Sequence, residues 1–133
     1  MRHGEATLLR GLLKGWPEQV RRLRQEVLGE LSRAPRPIYV YGASTKGQTL
    51  LQWWGTGRDV FEAAAERDPL KVGREMVGVR IPIVAELAAR ERAASFLVLP
   101  WHFREEIQER ERGWVAGGGT LIFPLPQVAI VKA

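Results

Sequence analysis

The 133-residue sequence contains no cysteine and no asparagine. The lack of cysteine excludes disulfide bonds, thiol catalysis and cysteine-ligated zinc, and it is typical of proteins from a reducing compartment. The sequence also lacks an apolar run near the ~20 residues that cross a membrane, and its charged first residues lack the apolar core of a signal peptide. These absences predict a cytoplasmic protein that does not associate with membranes.

Lysine is scarce, with 4 lysines beside 16 arginines, and the net charge is +5. Most arginines between positions 90 and 112 alternate with glutamates, so no basic stripe interleaved with aromatic residues is present. Such a stripe is what nucleic-acid binding requires, and we expect no nucleic-acid partner. The abundance of arginine, glutamate and proline without asparagine is typical of thermophilic proteins. The length and the 45% hydrophobic content suffice for one globular domain.

Residues 38–51, IYVYGASTKGQTLL, are the stretch around which the chain is organised. A short β-rich run ends at Tyr41, a polar turn follows between Gly42 and Gly47, and the next residues suit a helix. This pattern predicts a strand, a tight turn and a helix. The first such turn of an open α/β sheet directs backbone N–H groups and the positive end of the helix dipole toward one point, which favours anions.

The turn resembles two phosphate-binding motifs and matches neither. Its two glycines have the spacing of a P-loop, but Gln48 stands where that loop needs a lysine. Ser44 stands where a dinucleotide fingerprint needs its second glycine. Lys46 remains as a mobile cation, beside Ser44 and Thr45 as hydroxyl donors, so the turn residues 42–47, including Ala43, are candidate ligand contacts. Alternatively, the glycines serve backbone geometry alone.

Hydrophobic periodicity predicts the order of the remaining elements. We expect helices over 5–16, 18–33, 48–54, 85–92 and 104–112, strands over 38–41, 60–66, 95–99 and 120–123, a loop over 69–80 and an edge strand over 128–131. The alternation predicts an α/β fold, a three-layer Rossmann-like domain with a mostly parallel sheet over residues 35–133. A helical segment over 1–34 precedes it, and its first helix either covers the sheet or docks a partner.

Three turns should meet at the carboxyl edge of this sheet, where doubly wound folds bind ligands. They are residues 42–47, 66–68 and 100–104. Glu66 and Asp68 lie about 20 residues beyond the glycine turn, where dinucleotide folds place a carboxylate for ribose hydroxyls.

The third turn begins with Pro100 and brings aromatic and basic groups to the same edge. Trp101 could stack on a base or sugar, His102 could donate to a phosphate or shuttle a proton, and Arg104 could pair with a phosphate. Trp101 suits a core position at the rim equally well. Because no positioned acid, nucleophile or second histidine accompanies His102, we predict no catalytic set, and we expect no metal site.

The same residues resemble the C-terminal domain of S-adenosylmethionine-dependent C-methyltransferases that act on nucleotide-linked deoxysugars. The resemblance covers about residues 38–126. The matching blocks are YGASTKGQTLL (41–51), ERDPLKVGR (66–74), GVRIPIV (78–84), VLPWHFREEI (98–107) and GGTLIFPLP (118–126).

The resemblance implies a Rossmann-like domain that does not hold the methyl donor. In the family, a zinc-binding segment and a catalytic methyltransferase domain precede it, and the sugar nucleotide lies between the central and C-terminal parts. We therefore carry over no catalytic residue and no cofactor, and S-adenosylmethionine is implied only for a partner domain. The family's YGA-x-x-KG turn maps onto Tyr41, Gly42, Ala43, Lys46 and Gly47, and its Pro-Trp turn onto Pro100 and Trp101.

The sequence departs from the family pattern at two places. Glu66-Arg67-Asp68-Pro69 stands where the family has Asp-Arg-Asn-Pro, and residues 77–80, VGVR, stand where it has Pro-Gly-Thr-His. Both changes bear on the identity of the ligand. The resemblance nonetheless implies a stand-alone relative that binds a nucleotide-linked sugar or a similar phosphorylated ligand. Its partner would be a separate methyltransferase or a second copy of the chain.

Two other functions remain open from the sequence. One is an NAD-type or nucleotide-dependent enzyme that uses the same sheet edge, with His102 as acid or base. The other is an interaction domain that has lost its ligand pocket and docks a partner through its first helix.

Overall fold

The computed structural model describes residues 18–133, except the side chain of Gln19. Its elements, in chain order, are α1 (Glu18–Arg33), β1 (Ile38–Tyr41), α2 (Thr45–Trp54), β2 (Phe61–Glu66), β3 (Ile83–Ala85), α3 (Glu86–Arg92), β4 (Ser95–Val98), a 3-10 turn (Trp101–Phe103), α4 (Arg104–Arg110), α5 (Arg112–Ala116), β5 (Thr120–Phe123) and β6 (Ala129–Val131). The helix expected over 5–16 lies outside the described residues. No helix of the described part is long and apolar enough to cross a membrane.

The six strands form one sheet in the order β3-β2-β1-β4-β5-β6. The first five strands pair in parallel and β6 pairs antiparallel with β5. Strand order reverses direction between β1 and β4, which is where doubly wound sheets open a crevice at their carboxyl edge. The predicted α/β class and the mostly parallel sheet are therefore confirmed.

Helices cover both faces of the sheet, as a three-layer domain requires. On one face, α1 and α2 contribute Val27 and Leu51 to a core with Val40 and Leu97 of the strands. On the other face, α3 and α4 contribute Ala89 and Ile107 to a core that also includes Tyr41, Phe96 and Leu121 of the strands. Strands β1, β4 and β5 are buried along their whole length, which explains their continuous apolar sequences.

Helix α2 starts three residues earlier than expected, because Ser44 caps it. The Ser44 side chain accepts a hydrogen bond from the backbone N–H of Gly47 at 3.0 Å, and Ser44 itself is extended. Gly55 ends the helix in the left-handed conformation with φ 73°. Thr45, Lys46 and Gly47 therefore form the first turn of α2 rather than a loop before it.

The helix expected over 104–112 is interrupted. Helix α4 ends at Arg110, Glu111 adopts φ −97° and ψ 12°, and α5 begins at Arg112. The interruption coincides with the burial of the Glu111 side chain, which is 1% exposed and points its carboxylate toward Tyr41 and Arg90. At this position the helix is broken, and the Glu111 carboxylate makes buried polar contacts.

Candidate functional site

The carboxyl ends of β1, β2 and β4 meet at one edge of the sheet, because these strands are parallel neighbours. An open cleft of about 320 Å³ lies at this edge, beside the first turn of α3 and along α4. Its lining residues come from four connections and one helix face: Tyr41, Gly42, Glu66, Arg67, Glu86, Pro100, Phe103, Glu106, Ile107 and Arg110. The cleft thus combines carboxylates, guanidinium groups and an aromatic ring.

The glycines of the first turn allow close packing between β1, α2 and the end of β4. Gly42 has φ +93°, and a Cβ added there would lie 3.1 Å from Cδ of Pro100. A Cβ on Gly47 would lie 2.3 Å from Cδ1 of Leu99. Side chains of Leu99 and Pro100 therefore fill the space over the turn.

A buried hydrogen-bonded network forms one wall of the cleft. The Tyr41 hydroxyl donates to Oε2 of Glu111 at 2.8 Å and accepts a hydrogen bond from Nη1 of Arg110 at 2.9 Å. Arg90 donates from both Nε and Nη2 to the two oxygens of Glu111, each at 2.7 Å. Glu86 accepts from Arg90 at 3.1 Å and lies 3.7 Å from Arg110. The network fixes the Arg110 guanidinium at the cleft surface.

Burial and charge set the protonation of this network. Burial alone raises the pKa of Glu111, but hydrogen bonds from Arg90 and Tyr41 more than offset it and hold that pKa below its ordinary value. Burial and the hydrogen bond to Glu111 raise the pKa of Tyr41. Hydrogen bonds to Glu111 raise the pKa of Arg90. At neutral pH, Glu111 is consequently an anion and Tyr41 is a neutral hydrogen-bond donor. Neither group changes its protonation near neutral pH.

Comparison with known proteins identifies the family. Residues 10–126 match the family model described as the C-methyltransferase C-terminal domain. The chain belongs to this family. It is also 32% identical, over 117 residues, to the C-methyltransferase NovU of Streptomyces niveus. That match covers 87% of this chain and 28% of NovU, so the chain spans little more than a quarter of the relative's length.

Four of the residues predicted for ligand binding line the cleft of this C-methyltransferase C-terminal domain. They are Tyr41, Gly42, Glu66 and Pro100. Glu66 carries an ion pair, since its Oε1 lies 3.3 Å from Nζ of Lys71. The structure therefore brings together one predicted residue or more from each of the three turns.

The remaining predicted residues of the first two turns lie outside the cleft lining. Ser44 caps α2, and Thr45 accepts a hydrogen bond from Thr49 through its carbonyl. Lys46 is exposed on the first turn of α2, while Ala43 and Gly47 pack toward the core. Asp68 accepts a hydrogen bond from the backbone N–H of Leu70 at 3.0 Å, which stabilises the turn after β2.

Three side chains of the third turn, Trp101, His102 and Arg104, do not line this cleft. Trp101 lines a separate cleft of about 750 Å³, together with Val20 and Leu23 of α1 and residues 125–128. The centroid of the His102 ring lies 5.6 Å from that of Trp101 and 4.4 Å from that of Phe103. The Arg104 guanidinium lies 5.1 Å from the Phe123 ring centroid. Within the described residues, no group of three or more histidine, aspartate or glutamate side chains is placed to hold a metal.

Sequence reasoning missed six lining residues, and four of them carried a readable signal. Phe103, Glu106, Ile107 and Arg110 recur at the i, i+3, i+4 and i+7 positions of one helix face. That face follows directly from the Pro-Trp turn. Arg67 and Glu86 had no such periodic signal, although Arg67 lies in the turn 66–68 that the sequence places at this edge. The missed residues add both guanidinium groups of the cleft.

Proposed function

We propose that this domain is the nucleotide-sugar-binding part of a C-methyltransferase and is not catalytic by itself. The observation that carries the proposal is the cleft at the β1/β4 switch point, whose lining suits a hydroxyl-rich phosphorylated ligand. Carboxylates accept hydrogen bonds from sugar hydroxyls, guanidinium groups pair with phosphate, and an aromatic ring packs on a sugar or base. The proposed ligand contacts come from the three turns and include Tyr41, Gly42, Glu66 and Pro100.

The methyl donor and the reacting groups belong, in this proposal, to a separate catalytic domain. Two observations support that assignment. The cleft residues among 18–133 include carboxylates, arginines and one tyrosine, without a histidine or a nucleophile paired to a base. The match to less than a third of NovU is consistent with chemistry located elsewhere.

A thermal-shift panel on the full chain tests the proposal. A ligand that binds only the native state raises the melting temperature by mass action. We expect a rise with one or more of dTDP-, GDP-, CDP- and UDP-linked sugars, and none with NAD(H) or S-adenosylmethionine. A rise with NAD(H) alone would instead indicate a dinucleotide-dependent enzyme. No shift with any nucleotide-linked sugar would contradict the proposal and favour an interaction domain.

A further inference from the structure

Charges of both signs surround the cleft in equal number. They belong to residues that line it or contact the lining directly: the carboxylates Glu66, Glu86, Glu106 and Glu111 and the cations Arg67, Lys71, Arg90 and Arg110. The site as a whole is therefore close to neutral. Its affinity for a charged ligand depends on which of these groups are already paired within the protein.

Most of these charges are paired, and two of them have no side-chain partner among residues 18–133. Glu66 pairs with Lys71, while Arg90 bridges Glu86 and Glu111. Among residues 18–133, no side-chain hydrogen bond or ion pair joins Arg67 or Glu106 to another side chain. Both residues are exposed and line the cleft. The cleft thus offers one unpaired guanidinium and one unpaired carboxylate to a ligand.

Arg110 is a second cation for a ligand, and it is already fixed in place. Its Nη1 donates to the Tyr41 hydroxyl at 2.9 Å, and the Glu86 carboxylate stands 3.7 Å away, beyond good hydrogen-bond distance. The Arg110 side chain remains 35% exposed at the cleft wall. A guanidinium group has five N–H donors, so several remain for an anion. Its immobilisation by Tyr41 lowers the entropy cost of binding that anion.

We propose that Arg67 and Arg110 bind the phosphate of the ligand and that Glu106 accepts a hydrogen bond from a hydroxyl of the same molecule. The cleft then takes a phosphorylated sugar oriented by one cationic side and one anionic side. This assignment rests on the proposed function for the class of ligand. It places the phosphate beside α4 rather than at the first turn of α2, where Lys46 lies.

Isothermal titration of the full chain with three probes tests the assignment. The probes are dTDP-glucose, glucose 1-phosphate and methyl glucoside, which lacks a phosphate. The variants are Arg67→Gln, Arg110→Gln, Lys46→Gln and, as a matched control at the opposite edge of the sheet, Arg58→Gln. Arg67 is the decisive position because replacing its side chain breaks no hydrogen bond or ion pair within the described residues 18–133. A melting curve of each variant shows whether Arg110→Gln remains folded.

We expect both phosphorylated probes to bind and methyl glucoside to bind much more weakly. Removing either arginine should weaken the phosphorylated probes by about tenfold or more, as expected for the loss of a charged hydrogen bond. Arg58→Gln and Lys46→Gln should bind like the native chain. An unchanged Kd in Arg67→Gln, a loss in Lys46→Gln alone, or no binding of either phosphorylated probe would overturn the assignment.

Failure of the assignment and failure of the proposed function give different results. If dTDP-glucose binds and Arg67→Gln does not weaken it, the proposed function stands and the assignment is wrong. If glucose 1-phosphate binds as tightly as dTDP-glucose and both affinities fall in the Arg67 and Arg110 variants, the assignment of the phosphate contacts stands. In that case the proposal that the domain recognises the nucleotide is wrong.

Glu106→Gln should change the affinities for two probes in opposite directions, which the loss of a merely structural residue would not do. Removing this carboxylate removes repulsion toward phosphate, so inorganic phosphate should bind more tightly to the variant. The same change weakens the acceptor for a sugar hydroxyl, so glucose 1-phosphate should lose affinity relative to inorganic phosphate. Parallel changes for both probes would contradict the role assigned to Glu106.

Discussion

The Tyr41 hydroxyl donates a hydrogen bond of 2.8 Å to the Glu111 carboxylate, which lies 70 residues later in the chain. This contact joins the last residue of β1 to the bend between α4 and α5. It links the organising turn of the fold to the wall of the candidate site. Because the same hydroxyl accepts a hydrogen bond from Arg110, we expect both the stability of the domain and the position of Arg110 in the cleft to depend on this contact.

Replacing Glu111 should be severely destabilising. Glu111→Ala removes the partner of Arg90 and leaves that partly buried guanidinium without its main counter-ion, so we expect a loss of about 3–5 kcal/mol in the free energy of unfolding. Urea unfolding measures it. Glu109→Ala is the matched control, because Glu109 is exposed and pairs with the exposed Arg112, and it should cost less than about 1 kcal/mol. Similar losses in both variants would contradict the role of the buried network.

Gly47 should tolerate no side chain. Gly47→Ala places a Cβ against the buried Leu99, and we expect a cost of about 1–3 kcal/mol. Gly113→Ala is the control, since a Cβ there meets nothing within 4 Å, and it should be neutral or stabilising by about 0.5–1 kcal/mol. Chemical unfolding of both variants compares them. Adding Leu99→Ala to Gly47→Ala should give less than the sum of the two costs, because the two side chains compete for one space.

The cap of α2 makes a separate contribution. Ser44→Ala removes the acceptor for the Gly47 N–H and should cost about 0.5–2 kcal/mol. Thr49→Ala removes only an exposed hydrogen bond to the Thr45 carbonyl and should change stability by less than about 0.5 kcal/mol. Thermal unfolding of the two variants side by side decides the matter. Equal melting temperatures would mean that Ser44 is not an effective cap.

The cluster that the buried Tyr39 forms with the exposed Glu62 and Arg92 predicts a dependence of stability on pH. Hydrogen bonds from Arg92 and Tyr39 lower the pKa of Glu62 from 4.5 to about 2. Because the folded-state pKa is the lower one, the stabilisation is present above pH 4.5 and is lost as the pH falls toward 2. Glu62→Gln should therefore be less stable than the native chain at neutral pH, and the difference should vanish in acid. A difference that stays constant would contradict this assignment.

The same cluster predicts an alkaline limit. Burial, followed by the hydrogen bond to Glu62, raises the pKa of Tyr39 from 10.0 to about 12. A raised pKa stabilises the fold below the ordinary value, and this contribution is lost as the pH rises from 10 toward 12. Tyr39→Phe should abolish this part of the alkaline loss. Absorbance titration of the tyrosines in the native chain measures the pKa directly.

The fold was readable from the sequence because its local signals agree. Val40 and Leu97 lie in continuous apolar runs typical of buried parallel strands, and the alternation of strands and helices left little choice of topology. The break at Glu111 was not readable, because it depends on Tyr41 and Arg90, which are distant in sequence. Local periodicity carries no information about such contacts.

The site was readable only in outline. The carboxyl edge and its three turns follow from the parallel topology, which is why Gly42, Glu66 and Pro100 were found. The direction of each side chain within a turn depends on packing, which the sequence does not reveal. Trp101 lies beside α1, whereas Arg110 lines the cleft. For the same reason, the guanidinium groups of Arg67 and Arg110 were not predicted as ligand contacts.

The central claim is that the cleft at the carboxyl edge binds a nucleotide-linked sugar. The most direct test is to follow the backbone amide chemical shifts of the isotope-labelled full chain during a titration with dTDP-glucose. The account predicts that the largest changes fall on the cleft lining, at Gly42, Arg67 and residues 103–110. The absence of any change, or changes confined to residues 20–26 and 125–128 around Trp101, would contradict it.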